Sequence, residues 1–206
     1  ALALCQTISI RAHLTFVEIC FGRGKVEERN VAFIIDKNSF KRIKEYIDCA
    51  RNASDAEIVW GGKCDDSVGY YIQPTIIKTT NPHFRTMQEE IFGPVLTVYA
   101  YPENNFIDTL ELCDKTSPYA LTGSIFAQDR TAICAAYEML RHSAGNFYIN
   151  DKPTGAMVGQ QPFGGGRSSG TNDKAGSAIN LHRWISARSI KETFVPATNY
   201  PYPFMG

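Results

Sequence analysis

Glu89-Glu90-Ile91-Phe92-Gly93-Pro94 places two carboxylates at the end of a short polar turn, and Gly-Pro then bends the chain sharply into an apolar run. A carboxylate at such a corner can accept two hydrogen bonds from a diol such as a ribose. A neighbouring ring can pack on a flat heterocycle. From spacing alone the plainer reading is adopted: a helix end with a buried Phe ahead of a strand. A second group is Gly145-Asn146-Phe147-Tyr148-Ile149-Asn150-Asp151. A strand ending in Asn-Asp delivers polar groups at its carboxyl end, where open parallel sheets bind ligands. An Asx turn accounts for the same residues. A third group, Gly159-Gln160-Gln161-Pro162-Phe163-Gly164-Gly165-Gly166-Arg167-Ser168-Ser169-Gly170, holds three consecutive glycines. These let the backbone approach a ligand or another chain closely. The spacing fits neither a P-loop nor G-x-G-x-x-G, because the sixth position from Gly164 is Ser169. The alternative is a long surface loop, although loops of this length are often functional.

Nucleophile candidates are weak. The six cysteines (5, 20, 49, 64, 113 and 134) form no C-x-x-C pair, so the zinc and thioredoxin-like signatures are missing. Cys49, Cys113 and Cys134 fall on predicted helix faces and read as structural. Cys64 stands beside Asp65 and Asp66, whose charges disfavour a thiolate. Cys20 lies in a stretch, 1–30, that the pattern does not place. The histidines at 13, 83, 142 and 182 are dispersed, and no metal site is expected. With 21 Lys plus Arg against 21 Asp plus Glu, the balance argues against a nucleic-acid surface and an electrostatic membrane anchor. No run of 18 apolar residues suggests a spanning helix. A chain of 206 residues that is 44% apolar is large enough to bury a sizeable core.

The elements that must position these groups follow from periodicity. A helix is predicted after Asp36, with Phe40, Ile43, Ile47 and Ala50 on its buried face. Strands are predicted at 57–60 and 70–78, with Pro74 pushing the latter toward a sheet edge. Further along, strand 95–101, a helix marked by Phe106, Ile107, Leu110 and Cys113, and strand 121–127 alternate. They are followed by a helix capped by Asp129, with Ile133, Ala136, Tyr137 and Leu140 on its face, and by strand 146–149. This alternation predicts βαβ units and a parallel sheet. A helix near 177–185 and a strand near 187–194 close the chain. Residues 1–17 lack acids and carry Arg11, as a transit peptide can, but strand-like Thr7-Ile8-Ser9-Ile10 favours a strand or an aberrant terminus. The chain begins at Ala1, as a processed chain or a piece of a longer one would.

Taken together and in this order, the three groups resemble the aldehyde dehydrogenase family. Glu89-Glu90-Ile91-Phe92-Gly93-Pro94 is similar to the family's E-E-I-F-G-P motif, and residues 162–170 to its P-F-G-G-x-x-x-S-G motif. Within the family, the resemblance is to the L-glutamate γ-semialdehyde dehydrogenases. It rests on Ser67-Val68-Gly69-Tyr70-Tyr71, residues 145–152 and 158–165, Ser169-Gly170-Thr171-Asn172-Asp173-Lys174, and Ile190-Lys191-Glu192-Thr193.

The resemblance implies an α/β fold: a truncated, parallel-sheet catalytic domain over 31–186, with an oligomerisation strand and tail over 187–206. Residues 1–30 are unmatched. It also implies NAD as cofactor, a small-molecule aldehyde as substrate, and an aldehyde-to-carboxylate oxidation in proline catabolism in the mitochondrial matrix. In such enzymes a cysteine thiolate attacks the aldehyde, hydride leaves to NAD and water hydrolyses the thioester. By motif position, Glu90 would hold the nicotinamide ribose and Phe92 would pack near the nicotinamide. The loop over 155–163 would anchor the substrate, with backbone N–H groups of Gly155 and Ala156 on its distal carboxylate and Phe163 over its aliphatic part. A serine usual in that loop is replaced by Ala156. The sequence Glu18-Ile19-Cys20-Phe21-Gly22 does not reproduce the family's cysteine loop. No catalytic residue is therefore carried over, and the chain alone is expected to be inactive. Partners would be identical or full-length subunits; the alternative is a non-catalytic short product that joins them.

Overall fold

The computed structural model describes residues 2–5, 32–151, 153, 156–157, 159–195, 198–201 and 203–205. A 16-residue helix, α1 (Lys37–Asn52), starts where Asp36 accepts a 2.7 Å hydrogen bond from the Ser39 amide. This is the N-cap that the sequence signals. All four face residues named above are buried, and Tyr46 joins them. α1 follows β2 (Ala32–Phe33) and precedes β3 (Ala56–Trp60), β4 (Cys64–Asp65), β5 (Tyr71–Ile72) and β6 (Thr75–Thr79). The predicted strand over 70–78 is thus two strands, broken at Gln73-Pro74. Proline cannot donate to a ladder, and here it falls in the gap. β6 is consequently not an edge: it is the middle strand of β3-β6-β7, antiparallel to β3 and parallel to β7 (Val95–Tyr99).

One turn of helix, α2 (Arg85–Gln88), leads to the Glu-Glu corner ahead of β7. Then come α3 (Phe106–Thr116), β8 (Tyr119–Ala120), β9 (Thr122–Phe126), α4 (Arg130–Met139) and β10 (Asn146–Ile149). Asp129 caps α4 by accepting from the Thr131 amide at 2.9 Å. β9 and β10 are parallel, with α4 as the crossover. β1 (Leu2–Cys5) pairs parallel on the other side of β9. Leu110, Ile125, Ala127, Ile133, Ala136 and Leu140 form the core between these helices and strands. Ile107 and Tyr137, expected on the buried faces, are instead 53% and 55% exposed.

Two departures from the predicted architecture are clear. The strands do not form one parallel sheet. Among the described residues there are four small sheets of mixed direction, including antiparallel β2-β5-β4 and the pair β11 (Gly166–Arg167) with β8. The end of the chain also differs. The helix near 177–185 is α5 (Ala178–Leu181) followed by a 3₁₀ turn at His182–Trp184, and residues 187–194 form no strand. Ile190 and Phe194 there are 79% and 88% exposed. Thr7-Ile8-Ser9-Ile10 and Cys20 lie outside the described residues.

Candidate functional site

The corner after α2 separates its two adjacent carboxylates. Glu89 accepts from the Tyr46 hydroxyl at 2.6 Å and from Arg85 Nε at 3.1 and 3.2 Å. The Arg85 guanidinium also lies 4.4 Å from the centre of the Tyr46 ring, a cation–π distance. The Tyr46 hydroxyl first, then Arg85, holds the Glu89 carboxyl below its ordinary value. The same bond, together with burial, pushes Tyr46 up. Glu90 has no hydrogen bond or ion pair among the described residues, and its side chain lines a cleft of about 330 Å³. Ile91 is buried, whereas Phe92 is 82% exposed. The buried-Phe reading of this corner is therefore wrong. Phe92 also has φ +54°, the left-handed region that L residues with bulky side chains rarely adopt. An exposed ring held in a strained backbone is characteristic of a functional position.

Across the cleft from Glu90 stand Cys113, Asp114, Ser117, Tyr119, Ser143 and Arg167. Burial pushes Asp114 up, but the Ser143 hydroxyl and Arg167 together outweigh it and keep the carboxyl below its ordinary value. Arg167 donates to the Asp114 carboxylate and to its backbone carbonyl, each at 2.6 Å. A carboxyl with a depressed folded pKa stabilises the fold fully above the ordinary carboxylate range. That contribution is lost as pH falls through the folded value. Asp114→Asn is thus expected to cost about 1–3 kcal/mol at about pH 7 and almost nothing at about pH 2. Urea midpoints at the two pH values check this.

Burial drives the Cys113 thiol up to about 12, so it is neutral and inert, as its helix-face position suggested. Cys134 is exposed on α4 and does not pack as expected. Cys64 is pushed up as well, mainly by burial, with Lys44 opposing. The carboxylate that adds to this rise is Asp48 rather than the adjacent Asp65 or Asp66. No group of three potential metal ligands occurs among the described residues.

The Gly-rich loop is held by its neighbours. Asn146, 5% exposed, donates to the Pro162 carbonyl at 3.0 Å and accepts from the Gly164 amide at 3.1 Å. Lys174 Nζ donates to the carbonyls of Gly145 and Gly164, and burial lowers its pKa. The Tyr148 hydroxyl donates to Gln161 at 3.1 Å. Phe163 and Ala175 exchange two backbone hydrogen bonds of 2.9 and 2.8 Å. Gly165 does make a close approach, but to its own chain. A Cβ there would stand 2.8 Å from the Ala120 carbonyl oxygen and 2.7 Å from Ser169 Cβ.

At the end of β10 the Asn150 side chain makes no Asx turn but reaches across to the end of β9. Asn150, with φ +55°, brackets Ala127 through both its amide atoms. Of the candidate substrate residues, Phe163 is 40% exposed and Ala156 half-buried, and neither lines the cleft beside Glu90. Phe92 does not line it either, and Gly155 lies outside the described residues. Tyr46, Arg85, Asp114, Ser143 and Arg167 were not found from the sequence. Only Tyr46 left a signal there, the three-residue spacing from Ile43 along a helix face.

Glu90 of the first motif and Arg167, Ser168 and Ser169 of the Gly-rich loop line the same cleft, so the two motifs meet there. Residues 13–190 match the aldehyde dehydrogenase family, and the chain belongs to it. The match begins well before residue 31, where the motif resemblance starts. Among curated relatives, the mitochondrial Δ1-pyrroline-5-carboxylate dehydrogenase of Dictyostelium discoideum is 63% identical over 175 residues, covering 85% of this chain. The human protein of the same name is 51% identical over 172 residues, 84% of this chain. A crystal structure of the Mycobacterium tuberculosis Δ-pyrroline-5-carboxylate dehydrogenase bound with NAD superposes with a TM-score of 0.69 at 49% identity. It covers 84% of this chain and 31% of that one. The chain spans about a third of the length of the relatives it matches.

Proposed function

We propose that this chain is the C-terminal portion of an NAD-dependent dehydrogenase that oxidises L-glutamate γ-semialdehyde to glutamate in proline catabolism. The observation that carries this reading is the pairing of Glu90, a carboxylate uncommitted among the described residues, with the exposed Phe92 in one motif. Both fit a nicotinamide riboside: Glu90 accepts hydrogen bonds from its ribose hydroxyls, and Phe92 offers a flat apolar face. When bound, NAD supplies the acceptor for the aldehyde's hydride.

The residues of this chain do the positioning. The loop over 155–163 carries the aldehyde, with amides of Gly155 and Ala156 on its distal carboxylate and Phe163 against its methylenes. Cys64 and Cys113 are both pushed up by burial; the reading assigns the nucleophile to none of the described residues and expects no product from the chain alone. The names of the relatives favour the mitochondrial matrix. Residues 187–194, with Ile190 and Phe194 exposed, are placed against another subunit as its added strand.

Substrate comparison tests the reading. A full-length dehydrogenase carrying this sequence should have a higher kcat/KM for glutamate semialdehyde than for succinate semialdehyde with NAD. The reverse order would assign the chain to another aldehyde dehydrogenase branch. Ala156→Ser restores a hydroxyl donor to a charged ligand, worth about 1.5–3 kcal/mol. It is expected to lower KM for glutamate semialdehyde by about tenfold or more while leaving KM for NAD unchanged, as read from initial-rate kinetics.

A further inference from the structure

We infer that Tyr46 and Arg85 are positioning residues for the cofactor: acting through Glu89, they fix the corner that presents Glu90 and Phe92. The inference rests on the reading of Glu90 as a cofactor ligand. Glu89 has extended backbone, φ −98° and ψ 147°, so its side chain and that of Glu90 project to opposite sides. Contacts, not strand alternation, carry the pattern further, since Phe92 has a left-handed backbone. Glu89 meets Tyr46, Ile91 is buried in the cluster that α1 forms with Phe40, Ile43 and Tyr46, and Gly93 lies against Ile43. A Cβ on Gly93 would come within 2.7 Å of Ile43 Cδ1. Residues 89, 91 and 93 are thus seated on α1, whereas Glu90 and Phe92 are exposed.

α1 is the rigid partner in this contact, because Ile43 and Ile47 are fully buried. Glu89 is the polar part of the seat. Its carboxylate is shared between a phenol at 2.6 Å and a guanidinium at 3.1 Å. The guanidinium is itself stacked on that phenol's ring, so the three groups constrain one another. The Arg85 charge also neutralises Glu89.

The test uses a full-length dehydrogenase carrying this sequence, with Tyr46→Phe and Glu89→Gln compared with Glu90→Ala. Tyr46→Phe removes only a hydroxyl, and Glu89→Gln keeps the side-chain shape. If one of them fails to fold, the other decides. Loosening the corner should raise KM for NAD about tenfold, since sub-ångström misplacement is costly. KM for the semialdehyde should stay within about twofold, because the loop that carries it is held elsewhere, by Asn146 and Lys174. That cofactor-selective pattern in the corner variants, alongside a similar one in Glu90→Ala, supports the inference. If Glu90→Ala is cofactor-selective while Tyr46→Phe and Glu89→Gln are silent, or raise both KM values equally, the inference is overturned and the Glu90 reading survives. If Glu90→Ala leaves KM for NAD unchanged, the Glu90 reading fails and takes this inference with it.

Discussion

Glu90→Ala, in a full-length dehydrogenase carrying this sequence, is expected to lower kcat/KM for NAD by about 10–100-fold. A hydrogen bond to a charged group contributes about 1.5–3 kcal/mol, and each 1.4 kcal/mol is tenfold. Stability should change by no more than about 0.5 kcal/mol, the range for surface positions, because Glu90 is exposed and has no partner among the described residues. Glu89→Ala makes the contrast. It removes two partners' hydrogen bonds and leaves Tyr46 and Arg85 without their acceptor, so stability falls together with cofactor use. Initial-rate kinetics with a urea melt of each variant separates the two residues. Equal loss of stability in both variants would mean that Glu90 is as structural as Glu89.

The largest stability effect is expected at Gly145. A Cβ there would lie 2.0 Å from the Gly164 carbonyl oxygen, 2.7 Å from Gly165 Cα and 2.8 Å from Asn172 Oδ1. Two of these are backbone atoms, so relief requires moving the chain that leads into β10 or the glycine loop itself. Gly145→Ala should cost about 3 kcal/mol, at the upper end of overpacking, or roughly 6–12 °C in Tm for a chain of this size. The same displacement pulls the Gly145 carbonyl from Lys174 and the Gly164 amide from Asn146. Phe163 shifts with them, so aldehyde KM should rise while NAD KM holds. An unchanged melting temperature would mean that the loop does not sit against β10.

Much of the fold was legible in the residues because local chemistry determines it. Asp36 and Asp129 cap their helices as the pattern indicates. The Phe40, Ile43, Ile47 and Ala50 stripe is buried, and β9 and β10 lie where their apolar runs place them. What failed was decided non-locally. Pro74 was read as an edge signal, but the strand begins after it, and β6 then pairs on both sides. The strand expected near 187–194 is absent, and only a short helix and a 3₁₀ turn precede it.

The site was less legible for a similar reason. Glu89 and Glu90 are chemically identical neighbours, and a tyrosine 43 positions away distinguishes them. Asp114 and Arg167 are 53 apart, with no shared motif to connect them. The rule that an aromatic side chain goes inside fails at Phe92, which is exposed, because burial of apolar residues is a tendency and much of any surface is apolar.

NADH formation from L-glutamate γ-semialdehyde, measured for this chain alone and for a full-length dehydrogenase carrying it, tests the central claim most directly. The account predicts turnover in the full-length protein and none in the chain alone, because it assigns positioning of cofactor and aldehyde, and not the nucleophile, to these residues. Turnover by the chain alone would contradict the assignment of roles, and a full-length protein that leaves the semialdehyde untouched would contradict the proposed function.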